Sequence, residues 1–295
     1  MSTPYPVQEG TIVFRGYETW YRIVGAGEEP GKLPLLCLHG GPGVPHDYLE
    51  SLEAMAATGR RVIFYDQLGC GNSTHVDNPA LWTVDLFVEE VDVVRKALGL
   101  ERIHLLGQSW GGMLTMQYML TQPKGVASIT IASSPSSIPM WLAEANRLRR
   151  ELPEDVQEAL TRNEVAGTTE SAEYLAAMQV FYDRYVCRVV PNPPYAQRAF
   201  AKMGEWPQVY HTMNGPSEFH VIGVIKDWDV TARLGEINTP ALITTGRYDE
   251  ATPLIGETVH KGIRGSKWVV FEESAHLAHA EEPERYMAVL ADFLA

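Results

Sequence analysis

Ile103-His104-Leu105-Leu106-Gly107-Gln108-Ser109-Trp110-Gly111-Gly112 is the stretch on which the fold turns. An apolar run of strand character enters it and a helical pattern to about Thr121 leaves it. Between the two lies Gly107-Gln108-Ser109-Trp110-Gly111, a match to G-x-S-x-G. That pattern marks a sharp, strained strand-to-helix turn, and its glycines stand where a Cβ would collide with neighbouring backbone. The turn lifts the Ser109 hydroxyl clear of a sheet and sets it beside the N–H groups of the helix N-terminus. Ser109 is therefore the candidate nucleophile, and the Trp110 N–H one donor of an oxyanion hole.

Working outward, strand and helix patterns alternate on both sides of this turn. Thr11–Phe14 and Thr19–Val24 read as strands, followed by the apolar runs Leu35–Leu38 and Arg61–Tyr65. Tyr48–Thr58 has a helical rhythm closed by Gly59. Val84, Phe87, Val88, Val91, Val94 and Leu98 recur at helical steps and Gly99 ends them. Ser128–Ala132 is the sixth strand. From about Ser133 to Lys226 the chain reads as mostly helical, interrupted by prolines and rich in aromatics. Alternation then resumes with Pro240–Thr245, a helix near Leu254–Lys261, Lys267–Phe271 and a last helix Pro283–Leu294. The expectation is one α/β core, a mostly parallel sheet flanked by helices, with a helical cap inserted after the sixth core strand. The boundaries are residues 1–134 and 227–295 for the core and 135–226 for the cap.

A serine hydroxyl needs a base, and the base needs a carboxylate to orient it. In a fold with this serine turn the chain order is serine, acid, histidine. Asp249 follows the strand ending at Thr245, and His276 follows the strand ending at Phe271; both sit where open α/β sheets place their sites. His279 turns toward the last helix, His260 lies on a helix, and His211 and His220 lie in the cap. Asp227 and Asp229 sit at the return from the cap and read as turn-capping residues. The loop His39-Gly40-Gly41-Pro42-Gly43 leaves an earlier strand and offers the Gly41 N–H as the second oxyanion donor. His39 reads as a packed residue shaping that loop.

Composition narrows the function. The chain has 295 residues, 45% hydrophobic and 21% charged, with a formal net charge of −13. That acidity, without any basic run, excludes a nucleic-acid partner. No apolar stretch is long enough to span a bilayer, so no membrane is expected either. Cys37, Cys70 and Cys187 are odd in number and form no CxxC pair, which points to a reducing, cytoplasmic setting. Met1–Pro6 lacks the basic-then-apolar signature of a signal peptide.

With these residues placed, the sequence resembles the proline iminopeptidase family of serine peptidases, which have the α/β-hydrolase fold. It is most similar to the tricorn-interacting aminopeptidase branch and related amino-acid amidases. The resemblance runs over nearly the whole chain: HGGPG at His39–Gly43, DQLGCGNS at Asp66–Ser73, GQSWGG at Gly107–Gly112, MNGPSEF at Met213–Phe219, IKDWDVT at Ile225–Thr231 and GRYDEATP at Gly246–Pro253. It implies Ser109, Asp249 and His276 as the triad and Gly41 and Trp110 as the oxyanion hole. It also implies that Glu218 and Glu250 bind the free α-ammonium of the substrate. A serine aminopeptidase releasing proline, or another small or apolar residue, from short peptides is expected, without metal or organic cofactor. An amino-acid amidase or aminoacyl ester hydrolase acting on free-amine substrates is the alternative. A lipase-like esterase and a non-catalytic binding protein are remoter readings, and dehalogenase or epoxide-hydrolase chemistry would call for Asp in place of Ser109. Trp206 and Tyr210 are aromatic candidates for holding the first side chain.

Overall fold

The computed structural model describes residues 3–295; Met1 and Ser2, part of the N-terminal segment read for a signal peptide, lie outside them. Eight strands form one sheet: β1 (Val7–Phe14), β2 (Tyr17–Val24), β3 (Leu35–Leu38), β4 (Val62–Tyr65), β5 (Ile103–Gln108), β6 (Val126–Ala132), β7 (Ala241–Gly246) and β8 (Lys267–Phe271). Their spatial order is β1-β2-β4-β3-β5-β6-β7-β8. β1 and β2 pair antiparallel, as do β2 and β4; from β4 to β8 every pairing is parallel.

The short strands β3 (Leu-Leu-Cys-Leu) and β4 (Val-Ile-Phe-Tyr) are buried at every position. Such continuous apolar runs are what parallel strands covered on both faces require. Alternate residues feed two separate cores. Leu36, Leu38, Ile63, Tyr65, Leu105, Ile129, Ile131 and Ile243 face one; Leu35, Cys37, Val62, Phe64, Leu106, Leu242 and Phe271 face the other. Helices α1 (Val84–Ala97), α2 (Trp110–Met119) and α8 (Pro253–Gly262) cover the first face. The second is covered by the segment His46–Thr58, by α9 (Ala278–Glu281) and by α10 (Pro283–Phe293).

Two elements differ in detail from the pattern in the sequence. His46–Thr58 is a 3₁₀ helix closed by Gly59 at φ +74°, although its apolar spacing suits an α-helix. β1 begins at Val7 because its exposed first half is held by pairing with β2, Val7 opposite Val24. Hydrogen bonding rather than hydrophobic alternation extends it. Arg15 and Gly16, both at positive φ, make the two-residue turn of that hairpin, whose handedness matches the strand twist.

Five α-helices lie between β6 and β7: α3 (Ile138–Arg149), α4 (Glu154–Ala166), α5 (Ala172–Tyr185), α6 (Pro194–Glu205) and α7 (Gln208–Met213), followed by the 3₁₀ helix Thr231–Glu236. The two ends of this segment are tied together. Val230 N–H donates to Ser136 O at 2.8 Å and Ile138 N–H to Trp228 O at 2.9 Å. Asp229 accepts from the Thr231 N–H at 2.8 Å, the turn-capping role expected of it. No helix among the described residues is long and apolar enough to cross a membrane.

Candidate active site

The strand order reverses at β3, whose neighbours are β4 and β5. Ligands of open α/β sheets bind outside the carboxyl ends of the strands at such a reversal, and the loops leaving β3 and β5 are the ones carrying Gly41 and Ser109. Ser109 has φ +55° and ψ −124°, held by its N–H bonding Ala132 O on β6 at 2.9 Å. A Cβ on Gly107 would lie 2.0 Å from Gly111 O, and one on Gly111 2.1 Å from Leu38 O. The expected outcome of Gly111→Ala is a loss of more than about 3 kcal/mol, beyond ordinary overpacking because backbone rather than a side chain must yield. Denaturant titration checks this; a midpoint equal to the parent's would contradict it.

Asp249 and Glu250 stand in the turn after β7 and His276 in the loop after β8. The Asp249 carboxylate is fully committed: Oδ1 accepts from His276 Nδ1 at 2.7 Å and from Ala251 N–H at 2.7 Å, and Oδ2 from Gly246 N–H at 3.3 Å. Burial opposes a charge on His276, but the Asp249 carboxylate and its hydrogen bond, with Glu218 and Glu281, hold the ring above the usual histidine range. Both loops are pinned by the end of α5: Glu250 N–H donates to Tyr185 O and His276 N–H to Val186 O, each at 3.1 Å. Ser109 and His276 line one cavity with Gly41, Glu218 and Glu250. No hydrogen bond joins Ser109 Oγ to His276 in this substrate-free arrangement; such contacts often tighten only when substrate is bound.

A buried chain of side chains binds these loops to one another. Gly40 N–H donates to Tyr48 OH at 2.7 Å, Tyr48 OH to Gln108 Oε1 at 2.6 Å, and Gln108 Nε2 to His276 O at 3.0 Å. The loops that carry Gly41, Ser109 and His276 are thus one network. His39 serves the same loop. Its Nε2 accepts from Gln67 N–H at 2.9 Å, leaving Nδ1–H for Gly40 O at 3.1 Å. Burial lowers its pKa to about 4, so it is a neutral, packed ring. Among the described residues, the N–H groups of Gly41 and Trp110 have no backbone acceptor, which leaves them open to an oxyanion.

Glu218 comes from the MNGPSEF turn, and the turn's own residues explain its shape. Asn214 Nδ2 donates to Ser217 O at 3.0 Å, Ser217 Oγ meets Tyr174 OH at 2.9 Å, and Phe219 packs on Phe181 with ring centroids 4.8 Å apart. Glu218 Oε1 accepts from Tyr210 OH at 2.6 Å. Trp141 Nε1 donates to Glu218 O at 2.7 Å while the same ring sits edge-on to His276, centroids 5.8 Å apart. Glu250 is fully buried, and neither of its oxygens has a hydrogen-bond partner. Its Oε1 lies 3.8 Å from His276 Nε2. Burial, then repulsion from Glu218 and Asp249, hold its pKa well above the usual carboxylate range.

A family model described as the alpha/beta hydrolase fold matches residues 34–283. A proline iminopeptidase from Heyndrickxia coagulans is 44% identical over 267 residues, covering 90% of this chain and 92% of that protein. The crystal structure of proline iminopeptidase from Mycobacterium smegmatis matches at 45% identity and a TM-score of 0.90, covering 97% of each chain. The chain belongs to the proline iminopeptidase family. The crystal structure of VinJ is also similar, 44% identical with a TM-score of 0.94, covering 97% of this chain and 98% of that one.

Within this iminopeptidase fold, Ser109, Asp249, His276, Gly41, Trp110, Glu218 and Glu250 lie together, while Trp206 stands apart from them. Ser109, Gly41, Glu218, Glu250 and His276 line the cavity, Asp249 stands behind His276, and Trp110 opens α2. Of the two aromatics considered for the first side chain, Tyr210 lines the cavity. Trp206 does not; it stacks on His75, centroids 5.1 Å apart. Tyr48, Tyr182, Phe200 and Met203 also line the cavity and carry no local motif that announces it. A second small apolar hollow meets the first at Gly41, Ser109 and Glu218, lined by Trp110, Met113, Ile138, Trp141 and Ile225. His46, Asp47 and Glu50 cluster as metal ligands do, but the cluster is already occupied by ion pairing. Asp66 takes His46 at 2.7 Å, Arg198 and Lys202 each take Asp47 at 2.9 Å, and Arg198 also pairs with Glu50.

Proposed function

We propose that this chain is a serine aminopeptidase that releases an N-terminal residue, proline in the first instance, from short peptides through an acyl-enzyme. The observation that carries the reading is Glu250, a fully buried carboxylate without a hydrogen bond on either oxygen, beside Glu218 and next to the nucleophile. An uncompensated buried carboxylate is costly, and a substrate ammonium is the partner that would satisfy it. Two carboxylates around the amine also fix the first carbonyl over Ser109, which makes the enzyme count one residue from the end of the chain.

In the mechanism, His276 takes the Ser109 proton as Oγ attacks the carbonyl of the first residue. The oxyanion rests on the N–H groups of Gly41 and Trp110. Asp249 holds the ring tautomer and stabilises the imidazolium. His276 then protonates the leaving amine, and water activated by the same ring releases the acyl group. Residues 135–226 act as a cap, supplying Glu218, Tyr182, Tyr210, Phe200 and Met203 to the cavity. The hollow lined by Met113, Ile138, Trp141 and Ile225 takes the first side chain.

Glu218→Gln is expected to weaken kcat/KM for prolyl-4-nitroanilide by roughly 30-fold or more, since losing one partner of a buried charge pair costs about 2–5 kcal/mol. N-acetylprolyl-4-nitroanilide should be refused by both proteins. Unchanged turnover in the variant, or ready cleavage of the acetylated compound, would instead favour an esterase. Prolinamide, alaninamide and a prolyl dipeptide assayed side by side separate the peptidase from an amino-acid amidase with the same acyl chemistry.

A further inference from the structure

Asp249 engages the Nδ1 side of His276. The other ring nitrogen, Nε2, is the one that must accept the Ser109 proton, and the carboxylate beside it is Glu250, whose Oε1 lies 3.8 Å away. Glu250 has nowhere else to turn: its side chain is sealed from solvent and both oxygens lack partners. Its backbone is fixed by the hydrogen bond from its N–H to Tyr185 O. We propose that before substrate arrives His276 and Glu250 form an ion pair that keeps one proton on Nε2, and that the arriving substrate ammonium replaces the imidazolium as the counter-ion of Glu250 and sends that proton to solvent, so that the amine which docks the substrate also switches on the base.

The charge balance requires no other participant. Before binding, the pair holds one proton on Nε2, where it leaves the ring unable to accept from Ser109. The substrate brings its own positive charge into the space between Glu218 and Glu250. The ammonium then neutralises Glu250, the Nε2 proton departs to solvent, and Nε2 is left with its lone pair directed to Ser109. The proposal rests on Glu218 and Glu250 being the ammonium site and adds what occupancy of that site does to the base.

The surroundings of His276 are consistent with this. Asp249 and Glu250 face it from the turn after β7, Glu218 from the MNGPSEF turn, and His279 and Glu281 stand on α9. The hydroxyls of Tyr48, Tyr182 and Tyr210 complete the titratable groups of the cavity wall. Burial lowers the pKa of His279 to about 3, so it brings no positive charge near neutral pH. Of these groups Asp249, Glu218 and Glu281 hold His276 above the usual histidine range against its burial. Among the described residues, no lysine or arginine lines the cavity to counter them. An ammonium is the missing charge.

The experiment compares a substrate without an amine, 4-nitrophenyl acetate, with prolyl-4-nitroanilide in the parent enzyme and in Glu250→Gln. The pH dependence of kcat/KM for the acetate should show an acid limb above the ordinary histidine value in the parent. In Glu250→Gln that limb should move down by about one unit, so the acetate is cleaved about tenfold faster in mildly acidic buffer, while prolyl-4-nitroanilide turnover falls. If the acetate limb does not move and anilide turnover falls, the ion pair is wrong and the ammonium site stands. If anilide turnover is unchanged, the ammonium site itself is wrong. A second measurement uses the parent alone, so it decides even if the variant fails to fold. Calorimetric titration with L-prolinol in buffers of different ionisation enthalpy should report a release approaching one proton per ligand bound. A release of zero overturns the proposal.

Discussion

Ser109→Ala is expected to lower kcat for prolyl-4-nitroanilide by on the order of 10⁶-fold, with the fold intact. That is the scale on which a serine nucleophile acting as a unit with its histidine is felt. The fold should survive because alanine inherits the same backbone. The φ of +55° is enforced by the Ala132 carbonyl and by the close approach of Gly107 and Gly111, none of which involves the hydroxyl. Oγ makes no hydrogen bond that the folded chain depends on. Covalent labelling by a fluorophosphonate should disappear in the variant, while its circular dichroism and thermal midpoint stay close to the parent's. Residual turnover within a hundredfold of the parent would mean that the acyl group is carried elsewhere.

Asp249→Asn is expected to cost about 10⁴-fold in kcat, and the hydrogen bonds around the carboxylate say why. Three donors converge on it: His276 Nδ1–H and Ala251 N–H on Oδ1, Gly246 N–H on Oδ2. An amide cannot accept all three. With its oxygen toward His276, its NH₂ opposes the Gly246 N–H. Flipped, the NH₂ meets Ala251 N–H and forces the imidazole to accept at Nδ1, which places the proton on Nε2 where the base must be free. The first arrangement strains the turn after β7 and the second disables the base, so a near-isosteric change has a large effect. Presteady-state acylation by a prolyl ester, measured beside thermal unfolding, distinguishes the two. A loss of less than about a hundredfold in acylation would show that Asp249 does not govern the tautomer of His276.

What was legible in the sequence is what short stretches of chain enforce by themselves. The elbow at Ser109 follows from glycines that exclude Cβ atoms over five residues, and the strand positions from runs such as Leu35–Leu38 that are apolar throughout. Asp249 and His276 were legible because each follows the last residues of a recognisable strand in the required order. Glu218 was not legible from its surroundings; only the MNGPSEF motif marked it. Its role depends on Tyr174, Phe181 and Trp141, which are remote in sequence and come together only in the folded cap. The same is true of the Gly40–Tyr48–Gln108–His276 network, which spans more than two hundred residues of chain. Trp206 and Tyr210 were equivalent as letters. A turn of chain at Pro207 sends one ring onto His75 and the other into the cavity. The 3₁₀ form of His46–Thr58 also escaped a reading based on spacing, because an apolar stripe does not distinguish three residues per turn from three and a half over so short a length.

The bonds from Glu250 and His276 to the carbonyls of Tyr185 and Val186 bear on how such an enzyme can be re-engineered. The inserted helices are usually thought of as an exchangeable lid that can be swapped to alter selectivity while the hydrolytic machinery beneath stays as it was. Here the last turn of α5 is a splint set across the two loops that carry Asp249 and His276. A replacement insert would have to present two carbonyl oxygens at that spot, or the grafted enzyme would inherit a new pocket over a misaligned triad. Chimeras of this fold should therefore be cut so that Tyr185 and Val186 travel with the catalytic loops rather than with the lid.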